Sequence, residues 1–163
     1  MKSAVEHLSV YDSYHRNIWN KATHFVGIPV VVYSLLTALS LLAVDIAGAH
    51  FSAAMGFIAI VFLYYLMLDI HLAFGAVIFL IPLFSLASAS AHLSWQVALG
   101  MAAGCFVIGW IFQLAGHGIF EKNRPAFADN LIQLLIGPLY FVAECAFSLG
   151  LKKKLRDEIA SRR

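Results

Sequence analysis

The chain alternates between long apolar runs and short polar punctuation. Uninterrupted apolar runs occupy 25–44, 51–68, 72–91 and 95–115. Each is close to the ~20 residues that a helix needs to cross a hydrocarbon layer of about 30 Å. A fifth run, 131–150, is interrupted by Gly137-Pro138, and proline removes a backbone donor and kinks or ends a helix. The pattern predicts an all-α, membrane-embedded bundle of four spanning helices plus a Pro-broken fifth segment, re-entrant or spanning. It forms one domain over 1–163, with a polar cytoplasmic N-terminal segment at 1–24 and a basic tail at 151–163.

Composition sharpens this picture. Of 163 residues, 61% are hydrophobic and 12% charged, which leaves too little polar surface for a water-soluble domain. Between Lys21 and Lys122 there is no Lys or Arg, and Asp45, Asp69 and Glu121 carry the only charges in that interval. The polar first 24 residues, with no small-residue cleavage site beyond them, do not read as a signal peptide. A net charge of +2 gives no argument for nucleic acid. The basic residues gather at Lys2, Arg16 and Lys21, at Lys122 and Arg124, and in the tail from Lys152 to Arg163. Such clusters mark the cytoplasmic side. Four crossings put the first two clusters together, and the third joins them when 131–150 does not cross, the reading favoured here. Cys105 and Cys145 lie inside apolar runs and read as free thiols.

Seven histidines offer candidate chemistry. His50 and His92 fall in external turns, and His7 in the polar leader, where solvation is expected. His71 follows Asp69 in a cytoplasmic turn and is a weaker candidate. His15, His24 and His117 all fall on the cytoplasmic side. In one continuous helix His15 and His24 would point oppositely, so they converge only where the chain bends between them. Asn17 and Asn20 either orient these imidazoles through hydrogen bonds or cap a helix. His117 and Glu121 share a face at i, i+4, flanked by Gly116 and Gly118, which permit close approach. Two histidines and a carboxylate leave open positions on Fe(II), as in oxygenases. Glu121 is equally suited to pairing with Lys122 or Arg124, or to capping a helix end. Nucleophile elbows, P-loops and dinucleotide fingerprints are absent from the sequence.

Two stretches carry a resemblance. Tyr14-His15-Arg16-Asn17-Ile18-Trp19-Asn20, with His24 and Gly27-Ile28-Pro29, resembles the first motif of the fungal 2-hydroxy fatty acid dioxygenase family and its bacterial relatives. Gly109-Trp110-Ile111-Phe112-Gln113, Gly116-His117-Gly118, Phe120-Glu121-Lys122, Arg124-Pro125-Ala126 and Asp129-Asn130-Leu131 resemble its second, and Pro138 and Glu144 fall in place. The similarity runs from about Tyr11 to Leu151. Ile18 departs from it, since relatives often carry Pro there. The resemblance implies an Fe(II)-dependent membrane oxidoreductase of fatty acid α-oxidation. It would use O2 to cleave a long-chain 2-hydroxy acid to CO2 and the acid one carbon shorter. His15, His24 and His117 would be metal ligands. Glu121 would be a fourth ligand or a general base, and Asn17, Asn20 and Asp129 would support them. Lys21, Lys122 or Arg124 would receive the substrate carboxylate. The acyl chain would lie between the apolar spans, with the site near the cytoplasmic face, in a bacterial inner membrane in preference to an endoplasmic reticulum. Two other classes fit the residues: a Zn-dependent membrane lipid hydrolase or lyase, and a non-enzymatic scaffold or lipid carrier.

Overall fold

The computed structural model of the protein describes residues 2–162. Helix α1 (Ala4–Ser13) is started by a capping box in which the Ser3 hydroxyl accepts from Glu6 N–H while the Glu6 carboxylate accepts from Ser3 N–H. The chain then turns, and α2 (Ile18–Ser40) begins at Asn17, whose side chain accepts from Trp19 N–H at 2.8 Å. The bend required between His15 and His24 is this turn. Ile18 occupies the first helical position, one that Pro also favours.

Beyond α2, strands β1 (Ala43–Ile46) and β2 (Ala49–Ser52) form an antiparallel hairpin. Its tip, Ala47-Gly48, has positive φ at both residues, the twist that two-residue hairpins favour. This hairpin was not expected from the apolar pattern. Helices α3 (Ala53–Leu68), α4 (Ile70–Ala91) and α5 (Trp95–Ala115) follow, and α5 continues into a π-helical turn, Gly116–Glu121. Helices α2, α4 and the α5–π unit are long and apolar enough to cross a membrane. At 16 residues α3 is shorter, about 24 Å at 1.5 Å per residue. Large apolar side chains such as Ile60, Leu63, Ile78 and Ile111 stay outward and exposed, which a lipid surround accommodates and water does not.

Helix α6 (Gln133–Ser148) runs unbroken through Pro138. The break predicted there lies instead after Ser148, where α7 (Lys153–Ala160) turns back by 115°. The Tyr65 hydroxyl donates to the Leu135 carbonyl, which ties the first turn of α6 to α3. Both flanks of α6 are held at the same end of the bundle. Tyr14 donates to Asp129 before α6, and Lys152 after it pairs with Asp69 at the α3–α4 turn. The segment therefore packs across that end of the bundle. Helix α7 covers α1, burying Leu155 and Ile159 beside Leu8 and Tyr11.

Packing of α2 on α5 sets the site. Gly27 and Gly109 meet at their crossing: a Cβ on Gly27 would lie 2.9 Å from the Gly109 carbonyl, and one on Gly109 3.0 Å from Val31 N. Small residues let two backbones approach this closely.

Candidate metal centre

His15 lies in the turn after α1, His24 two turns into α2, and His117 in the π-helical turn. The π turn is a local widening of the helix that recurs at functional sites. The three imidazoles meet edge to face, with ring centroids 4.5 Å apart for His15–His24, 4.7 Å for His15–His117 and 4.9 Å for His24–His117. One nitrogen from each lies within 4.8 Å of the others, and all three side chains are buried. Small side-chain shifts bring such nitrogens to the ~2.1 Å that a shared ion needs.

Backbone carbonyls fix two of the tautomers. His15 Nδ1–H donates to the Tyr11 carbonyl at 2.7 Å, and His24 Nδ1–H to the Asn20 carbonyl at 2.9 Å. Each neutral ring is thereby left with its Nε2 lone pair free. His15 Nε2 and His117 Nδ1 are buried with no partner. Burial, with nearby His24 next in weight, pushes the His15 pKa down to about 2, against the opposing bond to Tyr11. That imidazole is neutral at physiological pH, the form a metal ligand requires. Tyr11 also lies flat on His15, 4.1 Å away and 4° from parallel.

Gly116 makes the gathering possible. A Cβ there would sit 2.2 Å from Thr23 Oγ1, 2.4 Å from Asn20 Oδ1 and 3.3 Å from His24 Nδ1. Gly118 faces open space, so only one of the two flanking glycines admits a close neighbour.

Glu121 lies outside the three-nitrogen group. Its Oε1 accepts from Arg16 N–H at 3.0 Å, and its Oε2 from Asn17 N–H and Asn20 Nδ2, each at 3.0 Å. Asn17 also donates from Nδ2 to the Phe120 carbonyl. Asn17 caps α2, and the side chains of both asparagines tie its start to the π turn through Phe120 and Glu121. Asp129 binds Arg124 at 2.8 Å and accepts from the Tyr14 hydroxyl, which locks the 124–129 loop against the residue preceding His15.

The cations proposed for the substrate carboxylate are placed elsewhere. Lys21 pairs with Glu144 at 2.9 Å and Asp12 at 3.5 Å, and Tyr140 donates to Asp12. Arg124 is engaged by Asp129, and Lys122 is exposed in a left-handed turn. His71 is exposed beside Lys152, and His50 and His92 sit together at the opposite end of the bundle. His7, expected to be solvated, is 6% exposed because α1 turns it inward.

The triad opens into a cavity of about 450 Å³ with mostly apolar walls, running from His24 to Leu35 along α2 and from His117 to Phe106 along α5. Eleven residues of helix span about 17 Å. At ~1.2 Å per bond of extended chain, that length takes about 14 bonds. Sequence reasoning missed Tyr11, Trp110 and Gln133, which line this space. The i, i+4 spacing of Tyr11 and His15 and the place of Trp110 in the second motif were the available signals.

A membrane-embedded helical bundle with a buried three-histidine centre at the head of an apolar cavity defines the class. The profile described as "2-hydroxy-palmitic acid dioxygenase Mpo1-like" matches residues 1–149, and the chain belongs to this Mpo1-like family. It is 33% identical over 150 residues to the Saccharomyces cerevisiae protein named 2-hydroxy-palmitic acid dioxygenase MPO1, covering 91% of this chain and 83% of the yeast protein. No solved structure matches it.

Proposed function

We propose that the protein is a metal-dependent membrane dioxygenase that shortens long-chain 2-hydroxy fatty acids by one carbon. The overall change, R-CHOH-COOH + O2 → R-COOH + CO2 + H2O, balances without a nicotinamide or 2-oxoacid, since cleavage releases the four electrons that O2 accepts. The observation carrying the reading is the junction of three buried imidazoles, two with an unpartnered ring nitrogen, with a cavity long enough for an acyl chain. The yeast relative's name supplies the substrate class.

His15, His24 and His117 would hold Fe(II), which when bound supplies the redox chemistry toward O2 and leaves positions open for substrate. The carbonyls of Tyr11 and Asn20 hold the first two rings in the ligating tautomer. Glu121 serves as a positioning residue, since three N–H groups already occupy its carboxylate. The apolar walls hold the chain and exclude water from the polar head. With Lys21 and Arg124 paired to carboxylates, the substrate head meets the triad and the polar groups of the cavity directly.

The site faces the cytoplasm in this reading. Lys2, Arg16, Lys21, Lys122, Arg124 and the basic tail belong to the segments at the triad end, and the hairpin and α4–α5 turn at the other end carry no Lys or Arg. An all-imidazole donor set also suits Zn(II), which favours hydrolysis as the second reading. Anaerobically purified protein given 2-hydroxyhexadecanoic acid and then O2 separates them. The dioxygenase reading expects one CO2 and one pentadecanoic acid per O2 consumed. Products formed equally without O2 would overturn it.

A further inference from the structure

Two polar groups on the cavity wall lack partners that the fold could readily have given them. Gln133, first residue of α6, is 3% exposed, and its Oε1 is buried without a hydrogen bond. Trp110, on α5, has a buried Nε1–H equally without a partner, with its ring held edge-on by Phe127 at 5.1 Å. Both residues line the space that the three histidines line. Of the other polar groups there, the Tyr65 hydroxyl donates to Leu135, His15 and His24 donate from Nδ1 to carbonyls, and the unpartnered nitrogens of His15 and His117 belong to the metal centre. A buried polar atom left unmatched in the empty protein is costly, and that cost is recovered when a ligand supplies the missing partner.

The two groups differ in kind. An indole N–H only donates, which suits a carboxylate oxygen. A carboxamide oxygen accepts, which suits a hydroxyl hydrogen. We infer that Gln133 and Trp110 are specificity-determining residues that read the 2-hydroxyl and the carboxylate of the substrate, so that the cavity prefers a 2-hydroxy acid over the plain acid of equal length. This rests on the proposed function and names the groups that select its substrate. A site built around a substrate hydroxyl rejects the analogue lacking it strongly, because its own polar group is then stranded.

The test is anaerobic binding, without turnover, of 2-hydroxyhexadecanoic and hexadecanoic acids to detergent-solubilised protein by equilibrium dialysis. Wild type should prefer the 2-hydroxy acid by roughly 10-fold or more. Gln133→Leu should erase that preference by weakening the 2-hydroxy acid alone, with hexadecanoic acid bound as before. Trp110→Phe should weaken both acids and leave their ratio intact. Because Gln133→Leu removes an unsatisfied buried oxygen, its ligand-free form should melt no lower than wild type, and Gln133→Met serves as a second apolar variant if it does. A preference retained in both Gln133 variants overturns the inference and leaves the proposed function standing. Absence of preference in wild type overturns both.

Discussion

Tyr11 and His15 are joined twice: the rings stack 4.1 Å apart, and the tyrosine's own carbonyl accepts the histidine's Nδ1–H at 2.7 Å. The backbone bond sets which nitrogen faces the other imidazoles, and the stack sets the plane of the ring. Groups that orient a ligand in this way typically contribute 10–100-fold to metal affinity. Tyr11→Ala should therefore weaken metal binding by about 10-fold or more, whereas Tyr11→Phe, which keeps the stack, should stay close to wild type. Titration against a competing chelator measures both, and equal loss in the two variants would show that the stack is not what matters.

Gly116 and Gly118 flank the same histidine yet should respond differently to the same substitution. Alanine at 116 forces a methyl against Thr23 and Asn20, while alanine at 118 meets nothing within 4 Å. Overpacking of this kind costs about 1–3 kcal/mol, so Gly116→Ala should lower the thermal midpoint and weaken metal binding. Gly118→Ala should leave both close to wild type. Differential scanning of the two purified variants checks this pair.

Glu121 separates a ligand role from a positioning role. Glu121→Gln keeps an acceptor for one of the N–H groups of Arg16 and Asn17 and surrenders the charge. If the carboxylate positions the α2 start, the variant should still bind one metal per chain, with affinity reduced about 10-fold. Complete loss of metal in a variant that remains folded by circular dichroism would make the carboxylate a ligand.

Asp69 gives the fold a measurable pH dependence. Burial acts to raise its pKa, but the Lys152 ammonium and the N–H groups of Leu72 and His71 together outweigh it and hold the carboxyl below its usual 3.8. The unfolded chain thus binds the proton more tightly. The stabilisation is complete above the unfolded pKa and is lost as pH falls through the lower folded value. Asp69→Asn should be less stable than wild type at pH 7, and the gap should narrow as pH falls through the lowered folded pKa. A gap that is independent of pH would contradict the assignment.

Much of the bundle is visible in the apolar runs. The run at 95–115 coincides with α5, and those at 51–68 and 72–91 differ from α3 and α4 by two residues at one end. The first run was displaced from α2 at both ends for physical reasons. Asn20 and His24 are polar because they face the site, and Lys21 because it pairs with Glu144 and Asp12, which hid the helix start. Ala43, Val44 and Ile46 are apolar although they belong to a hairpin, which blurred its end. Pro138 was read as a break on its local chemistry, and only tertiary contacts show that the helix continues. His15, His24 and His117 could be named from motif and side of the membrane. The spacing of Gln133 and Trp110 carries no periodic signal, and their relation to the cavity exists only once α5 and α6 are placed around it.

The central claim is that three imidazoles hold one metal ion. Metal content by mass spectrometry of anaerobically purified protein, tag removed and chelators omitted, tests it beside His15→Ala, His24→Ala and His117→Ala. The account predicts about one iron per chain in wild type and near-complete loss in each folded variant. A wild type that takes up neither iron nor zinc on reconstitution, or variants that retain full occupancy, would contradict it.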